Sequence, residues 1–324
     1  MNCCAHLVIF FWCSALALPH GQESLSFSSE THGCPEPGEI EPCSCSLFSE
    51  GLSIYCPYIS SLQNISNLVE VLKDYGPIYE IELGNSELER IPKLLFKDIT
   101  FRVLSLHSLN LDPIPEEDAP FLEGNSESIE EVYIMESLKR GSGNLFFNHF
   151  TNLMILEMIW NSFDVVDDWF LNGPKSLIEL FLNENGIETL GETAFAHLTN
   201  LTYLSISENR ISSVYRSMFP NNLQILDISY NKINELPRDF FTNMHNLEDI
   251  YLESNNITVL DEATWKPVWN QLDSVWLNDN PIVCDNRLRW ILDYSFPTSF
   301  WGYCSEPPHL RGKHLTFLTS DDLE

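Results

Sequence analysis

The residues of this chain that could do chemistry are carboxylates, cysteines and histidines. In 324 residues there are 47 Asp and Glu against 17 Lys and Arg, a formal charge of −30, with nine His and nine Cys. At one acidic residue in seven, carboxylate pairs arise by chance, and none sits in a motif that would make it a general acid or base. HExxH, GxSxG, a phosphate-cradling glycine loop and EF-hand spacing are all absent from the sequence. His149, His197 and His245 fall near the ends of a repeating pattern, so they recur because the pattern recurs. His309 and His314 have no Cys or acid at metal-ligand spacing. The sequence therefore predicts no catalytic residues, no metal site and no cofactor. Its charge also excludes a polyanion-binding surface, because nucleic acid needs a basic field; a basic or neutral partner is expected instead.

Cysteine usage points to the compartment. Cys3, Cys4 and Cys13 lie in or before the apolar run LVIFFWCSALAL (7–18), which is shorter than the ~20 residues a membrane span needs. It reads as a signal peptide over 1–20, cut after Ala17 or a few residues later. No later stretch is long and apolar enough to span, and no lipid-anchor tail is expected at the end, so the chain is expected to be secreted and extracellular. Residues 21–33 are polar and serine-rich and read as an arm. Cys34, Cys43, Cys45, Cys56, Cys284 and Cys304 remain, an even number that suggests three disulfides; the absence of a CxxC pair weighs against zinc. Spacing alone leaves three pairings open for the first four.

The element that must position everything else is an internal repeat, with leucine or a relative at positions 1, 4, 6 and 11 and asparagine at 9. Clear copies are LIELFLNENGI from Leu177, LTYLSISENRI from Leu201, LQILDISYNKI from Leu223 and LEDIYLESNNI from Leu247. Weaker copies begin at Ile78, Phe101, Ile129 and Leu153, and a last at Leu272, the nine starts lying 22 to 28 residues apart. Such a coil cannot bury its apolar ridge alone, so successive coils must stack. Each LxxLxL predicts a short strand with alternate residues inward, and stacking builds a parallel sheet. Asn161, Asn185, Asn209, Asn231, Asn255 and Asn280 are expected to bond backbone groups left unpaired in the turn. Phe96, Phe195, Phe219, Phe241 and Trp265 at position 19 are expected to form a packed spine.

These motifs resemble the extracellular leucine-rich repeat family, which implies an α/β solenoid, a horseshoe with a parallel concave sheet and disulfide caps at both ends. The resemblance divides the chain into an N-terminal cysteine cap (34–77), about nine repeats (78–282) and a C-terminal cap (283–324). It implies the pairs Cys34 with Cys45 and Cys43 with Cys56. The family's C-terminal cap usually has four cysteines; here Asn286 takes the place of the second and no fourth appears, leaving Cys284 with Cys304. The coil from Phe101 is stretched between Asp112 and Ser128, the next is interrupted at 139–143, and position 9 holds Ser86, Leu109 and Ser137. The front third is therefore expected to be looser, its inserts serving either as tolerated loops or as partner contacts.

Positions 2, 3, 5, 7 and 8 of each repeat are expected to face solvent from the sheet. There, fifteen acids, among them Glu157, Glu179, Asp227 and Asp249, accompany one fixed positive charge, Arg102. Among the acids sit Tyr133, Trp160, Phe181, Tyr203, Tyr230, Tyr251 and Trp276, a pattern that suits aromatic anchors with electrostatic steering. Three glycosylation sequons begin at Asn64, Asn200 and Asn256. With its two-cysteine end and stretched third coil, the chain is similar to arthropod secreted leucine-rich proteins, and within them to the non-catalytic subunits of luciferases. That resemblance implies a hetero-oligomer in which this chain holds a small catalytic subunit that oxidises coelenterazine with light, without metal. The alternatives are a generic extracellular recognition module for adhesion or defence and, remotely, a secreted hydrolase on a repeat scaffold.

Overall fold

In the computed structural model, residues 33–112, 122–139, 147–167 and 174–324 are described, all within one unit, His32–Glu324. The expected signal peptide, the arm up to residue 32 and most of the two inserts lie outside the described residues. A hairpin of β1 (Ser44–Leu47) and β2 (Leu52–Pro57) precedes α1 (Leu62–Leu72). The repeats then contribute β3 (Ile78–Gly84), β4 (Val103–His107), β5 (Glu131–Met135), β6 (Ile155–Ile159), β8 (Glu179–Phe181), β10 (Tyr203–Ser205), β11 (Ile225–Asp227), β12 (Asp249–Tyr251) and β13 (Ser274–Trp276). β14 (Ser299–Trp301) follows them. These twelve strands form one sheet in chain order, antiparallel only between β1 and β2. On the outer side β7 (Val165–Val166) pairs with β9 (Thr189–Leu190).

The strands form where the pattern places them because positions 4 and 6 enter the core, as Leu180 and Leu182 or Leu226 and Ile228 do at 0% exposure. Parallel stacking then covers each ridge with the next, giving a continuous apolar core from Ile40 to Leu323. From Phe195 on, the position 19 spine is packed: Phe195, Phe219, Phe241 and Trp265, joined by Phe240 and Trp269, follow ring on ring at 4.9–6.1 Å between successive centroids, whereas Phe96 packs on Phe101.

The asparagine ladder closes the turns. Asn209 Oδ1 accepts from the backbone N–H of Asn185 (3.1 Å) and Ile187 (3.0 Å), and its Nδ2 donates to the carbonyls of Leu182 and Ile206. Asn231, Asn255 and Asn280 repeat the arrangement toward Ile211, Ile233 and Ile257. In the front coils a serine hydroxyl does part of this work: Ser86 Oγ accepts from Ile59 N–H at 2.7 Å and donates to Gly84 O, and Ser137 does the same for Leu109 and Met135. The expected looseness of the front third does not extend to the sheet. β3 to β6 run five to seven residues where the rear strands run three, so longer pairing accompanies the shorter polar peg.

Position 8 follows a rule that its residue types do not reveal. Asn85, Ser108, Glu136, Trp160, Glu184, Glu208, Tyr230, Ser254 and Asp279 all have left-handed backbones, with φ between 49° and 56°. From Asn85 to Ser254, each N–H bonds the position 7 carbonyl of the next coil, as Tyr230 does to Glu253 at 2.8 Å, so this turn continues the ladder past the strand's end.

The bridges are Cys34–Cys45, Cys43–Cys56 and Cys284–Cys304, near the two ends of the solenoid. α1 buries Ile65, Leu68, Val69 and Leu72, one face of the helix, in the N-terminal cap. At the other end the sheet continues beyond the nine expected coils. β14 pairs with β13, burying Pro297 and Phe300 at the positions where leucines would stand. Gly302 occupies its position 6, where an added Cβ would come within 3.1 Å of Leu315 Cδ1; the cap fills the space that a coil's leucine takes elsewhere. Among the described residues no helix is long and apolar enough to cross a membrane.

Candidate interaction face

Parallel register aligns the outward residues into rows. At position 5 the row runs Tyr133, Glu157, Phe181, Ser205, Asp227, Tyr251, Trp276, Trp301. Position 3 gives Glu131, Ile155, Glu179, Tyr203, Ile225, Asp249, Ser274. Neighbouring strands lie about 4.8 Å apart, so residues adjacent in a row touch.

The face is less open than the repeat alone suggests. Phe181 and Tyr203 pack edge to face at 4.8 Å, and Tyr251 and Trp276 do so at 5.5 Å, leaving all four half-buried. Ser205 and Ser229 are buried, because Asp227 folds over them, accepting from Ser205 Oγ at 2.9 Å and Ser229 Oγ at 2.6 Å. Tyr133 donates to Glu131 Oε2 at 2.7 Å, and burial pushes its phenol well above the ordinary range. Trp160 (49%) and Tyr230 (51%) are the exposed members. Two aromatic knots thus stand about 14 Å apart along the sheet, three strands from Phe181 to Tyr251, with Glu157 and Glu179 beside the first and Asp227 and Asp249 beside the second.

These carboxylates lack countercharge. Burial raises the Glu157 carboxyl, and burial with the Glu131 charge raises Glu179. Glu208 is raised by burial and then by Glu184 and Asp227; Glu253 is raised by burial, with Asp227 and Asp279 adding to it. Arg102 is engaged with Glu130 and His107 lies 2.7 Å from Glu82, both at the front of the sheet. Among the described residues, no Lys, Arg or His pairs with Glu157, Glu179, Glu208, Asp227, Asp249 or Glu253.

The sequence reading missed an aromatic shelf in the C-terminal cap. Trp301 (45%), Tyr303 (38%) and Phe317 (71%) gather around His314, with ring centroids 5.0–6.1 Å from it. Trp301 continues the position 5 row directly from Trp276. The ring residues of SFWGY were visible as a signal, but the missing leucines hid the coil that carries them.

Of the sequon residues, Asn200 and Asn256 are exposed, whereas Asn64 is half-buried in α1 with its Oδ1 accepting from Ser61 Oγ at 2.6 Å. Among the described residues, no group of three or more His, Cys, Asp or Glu is placed to hold a metal. The clefts around Arg216 and around Tyr303 open on the flanks and bring no nucleophile to a base; the Arg216 guanidinium is taken up by the carbonyls of Phe219 (2.6 Å) and Thr242 and by Asn221.

Residues 151–211 and 221–282 match the family described as Leucine rich repeat. Leucine-rich repeat-containing protein 3B of Danio rerio is 39% identical over 66 residues, 20% of this chain and 26% of that protein's length. The Oplophorus-luciferin 2-monooxygenase non-catalytic subunit of Oplophorus gracilirostris is 21% identical over 315 residues, covering 88% of this chain and 86% of the relative. Among solved structures, the TLR13 chain of a TLR13–ssRNA13 complex superposes with TM-score 0.58 at 21% identity, over 69% of this chain and 31% of that one. A chain from the octameric complex of Latrophilin 3, Unc5D and FLRT2 (LRR) superposes at 0.55 and 22% identity, over 79% and 85%. The stacked coils, the matched segments and the disulfides near both ends agree on a leucine-rich repeat fold, and the chain is similar along most of its length to the non-catalytic subunit of a luciferase.

Proposed function

We propose that this chain is a secreted, non-catalytic accessory subunit that binds and steadies a small catalytic luciferase chain on its parallel sheet, while that partner oxidises coelenterazine with light. The observation that carries the reading is the face itself: paired rings set among carboxylates with no cation opposite. Aromatic knots of this kind supply anchoring area, and uncompensated charge supplies steering. Three disulfides suit an oxidising, extracellular compartment. Sugar on the exposed Asn200 and Asn256 fits the same compartment. The test is to assay the purified chain with coelenterazine and oxygen, alone and with the small chain that co-purifies from its source. Light only in the second case, longer-lived than from the small chain by itself, is expected; turnover by this chain alone would contradict the reading.

A second reading, recognition of an unrelated extracellular protein, draws on the likeness to a chain of the octameric Latrophilin 3, Unc5D and FLRT2 complex. Co-purification separates the two: a receptor or matrix protein in place of a luminescent chain favours the second.

A further inference from the structure

Position 8 must be left-handed in every repeat, a conformation that glycine and asparagine adopt most readily and bulky residues adopt at a cost. Two coils nevertheless place a large ring there, Trp160 and Tyr230, each about half exposed and without a ring contact among the described residues. The fold gains nothing from these rings that asparagine would not supply. A bulky, exposed aromatic in such a conformation points to a use outside the fold.

The neighbours along this edge are acidic. Glu136 and Glu184 flank Trp160, and Glu208 precedes Tyr230, in successive coils whose spacing is fixed by the position 8 N–H bonds. Adjacent coils lie about 4.8 Å apart, so each ring has a glutamate at the same position of a neighbouring coil. Of the cations near this edge, Arg210 is paired with Glu188, while Lys232, two residues beyond Tyr230, is exposed and in no ion pair among the described residues. Among the described residues none pairs with Glu136, Glu184 or Glu208. A ring beside a carboxylate suits guanidinium, which is planar, weakly hydrated, stacks on aromatic faces and pairs with carboxylates through two donors. An ammonium, compact and strongly hydrated, gains less there.

We propose that the edge from Glu136 to Tyr230 docks a protein segment presenting arginines, whose guanidinium groups stack on Trp160 and Tyr230 and pair with the flanking glutamates. This rests on the protein-recognition reading and names the chemistry of the partner's contact surface.

The test uses the full secreted chain and two synthetic peptides of equal length and charge, one arginine-bearing and one lysine-bearing, titrated near physiological salt. The arginine peptide is expected to bind at least about fivefold tighter, as stacking and bidentate pairing require. Trp160→Asn with Tyr230→Asn should abolish that preference while raising the thermal midpoint, a combination that a merely structural role would not give. Glu184→Gln with Glu208→Gln should weaken the arginine peptide by about tenfold, against less than about twofold for Glu192→Gln with Glu235→Gln, which remove the same charge from exposed outer positions. Equal affinity for both peptides, or equal loss from both glutamate pairs, would overturn the proposal by reducing it to diffuse charge. Failure of the arginine peptide to bind would overturn it too; if a native partner were still held through Tyr203 and Tyr251, the recognition reading would survive without it.

Discussion

The fold depends most sharply on single residues at position 9. Asn209 satisfies two buried N–H groups and several carbonyls, so Asn209→Ala leaves them unpaired in a dry turn; about 3 kcal/mol of lost stability is expected by urea unfolding. Ser86 supports fewer bonds, and Ser86→Ala should cost less than half as much. These pegs were legible because one residue type recurs at one spacing. The left-handed column beside them was not, because Asn, Ser, Glu, Trp, Tyr and Asp share its conformation and no side-chain type marks it. On the sheet, Glu157 and Glu179 have raised folded-state pKa values, so the folded chain holds their protons more tightly than the unfolded chain. Stability from these groups rises as pH falls from neutrality toward 4.5, the ordinary glutamate value, and is withdrawn on return. Asp285 runs the other way: Arg287 holds its carboxyl low, and that contribution is lost in more acidic solution. Glu157→Gln with Glu179→Gln should raise the urea midpoint at neutral pH and flatten its rise between about pH 7 and pH 5; an unchanged pH profile would show the two carboxylates to be fully solvated.

At the scale of elements, stacking places the side chains and the caps decide where stacking ends. Positions 1, 4 and 6 made nine strands readable from the sequence, and register then fixed which outward residues meet: Glu157 beside Phe181, Asp227 beside Tyr251. Edge-to-face packing within the face was not readable, since sequence gives a residue's row but not its tilt. The tenth coil escaped for a physical reason. Pro297 and Gly302 stand where leucines mark the others, and Leu315 from the cap fills the core in their place. The front pairings likewise needed the family resemblance, because four cysteines within 23 residues close in three ways. The Cys284–Cys304 bridge spans 20 residues, and its loss in Cys284→Ser with Cys304→Ser should cost about 3 kcal/mol. Hydrogen exchange should then rise first over β14 and its shelf, leaving β8 to β11 protected; uniform loss across the sheet would mean that the coils do not share their stability by neighbours.

Over the whole molecule, a charge of −30 sets the long-range behaviour. Self-repulsion opposes compaction and is screened over about 8 Å at physiological salt, so moderate salt should raise the unfolding midpoint while slowing association with a basic partner. Fold class was legible from the repeat and partner chemistry only in outline, because the repeat specifies a scaffold whereas recognition resides in the positions it leaves free. The most direct measurement is calorimetric affinity for the co-purifying protein of the wild-type chain and of Trp160→Ala, Tyr203→Ala and Tyr251→Ala, each first shown to be folded. Recognition through the sheet predicts a loss of about 2 kcal/mol for each, near thirtyfold in affinity. Unchanged affinity in all three would contradict it and move the contact to the outer side or the caps.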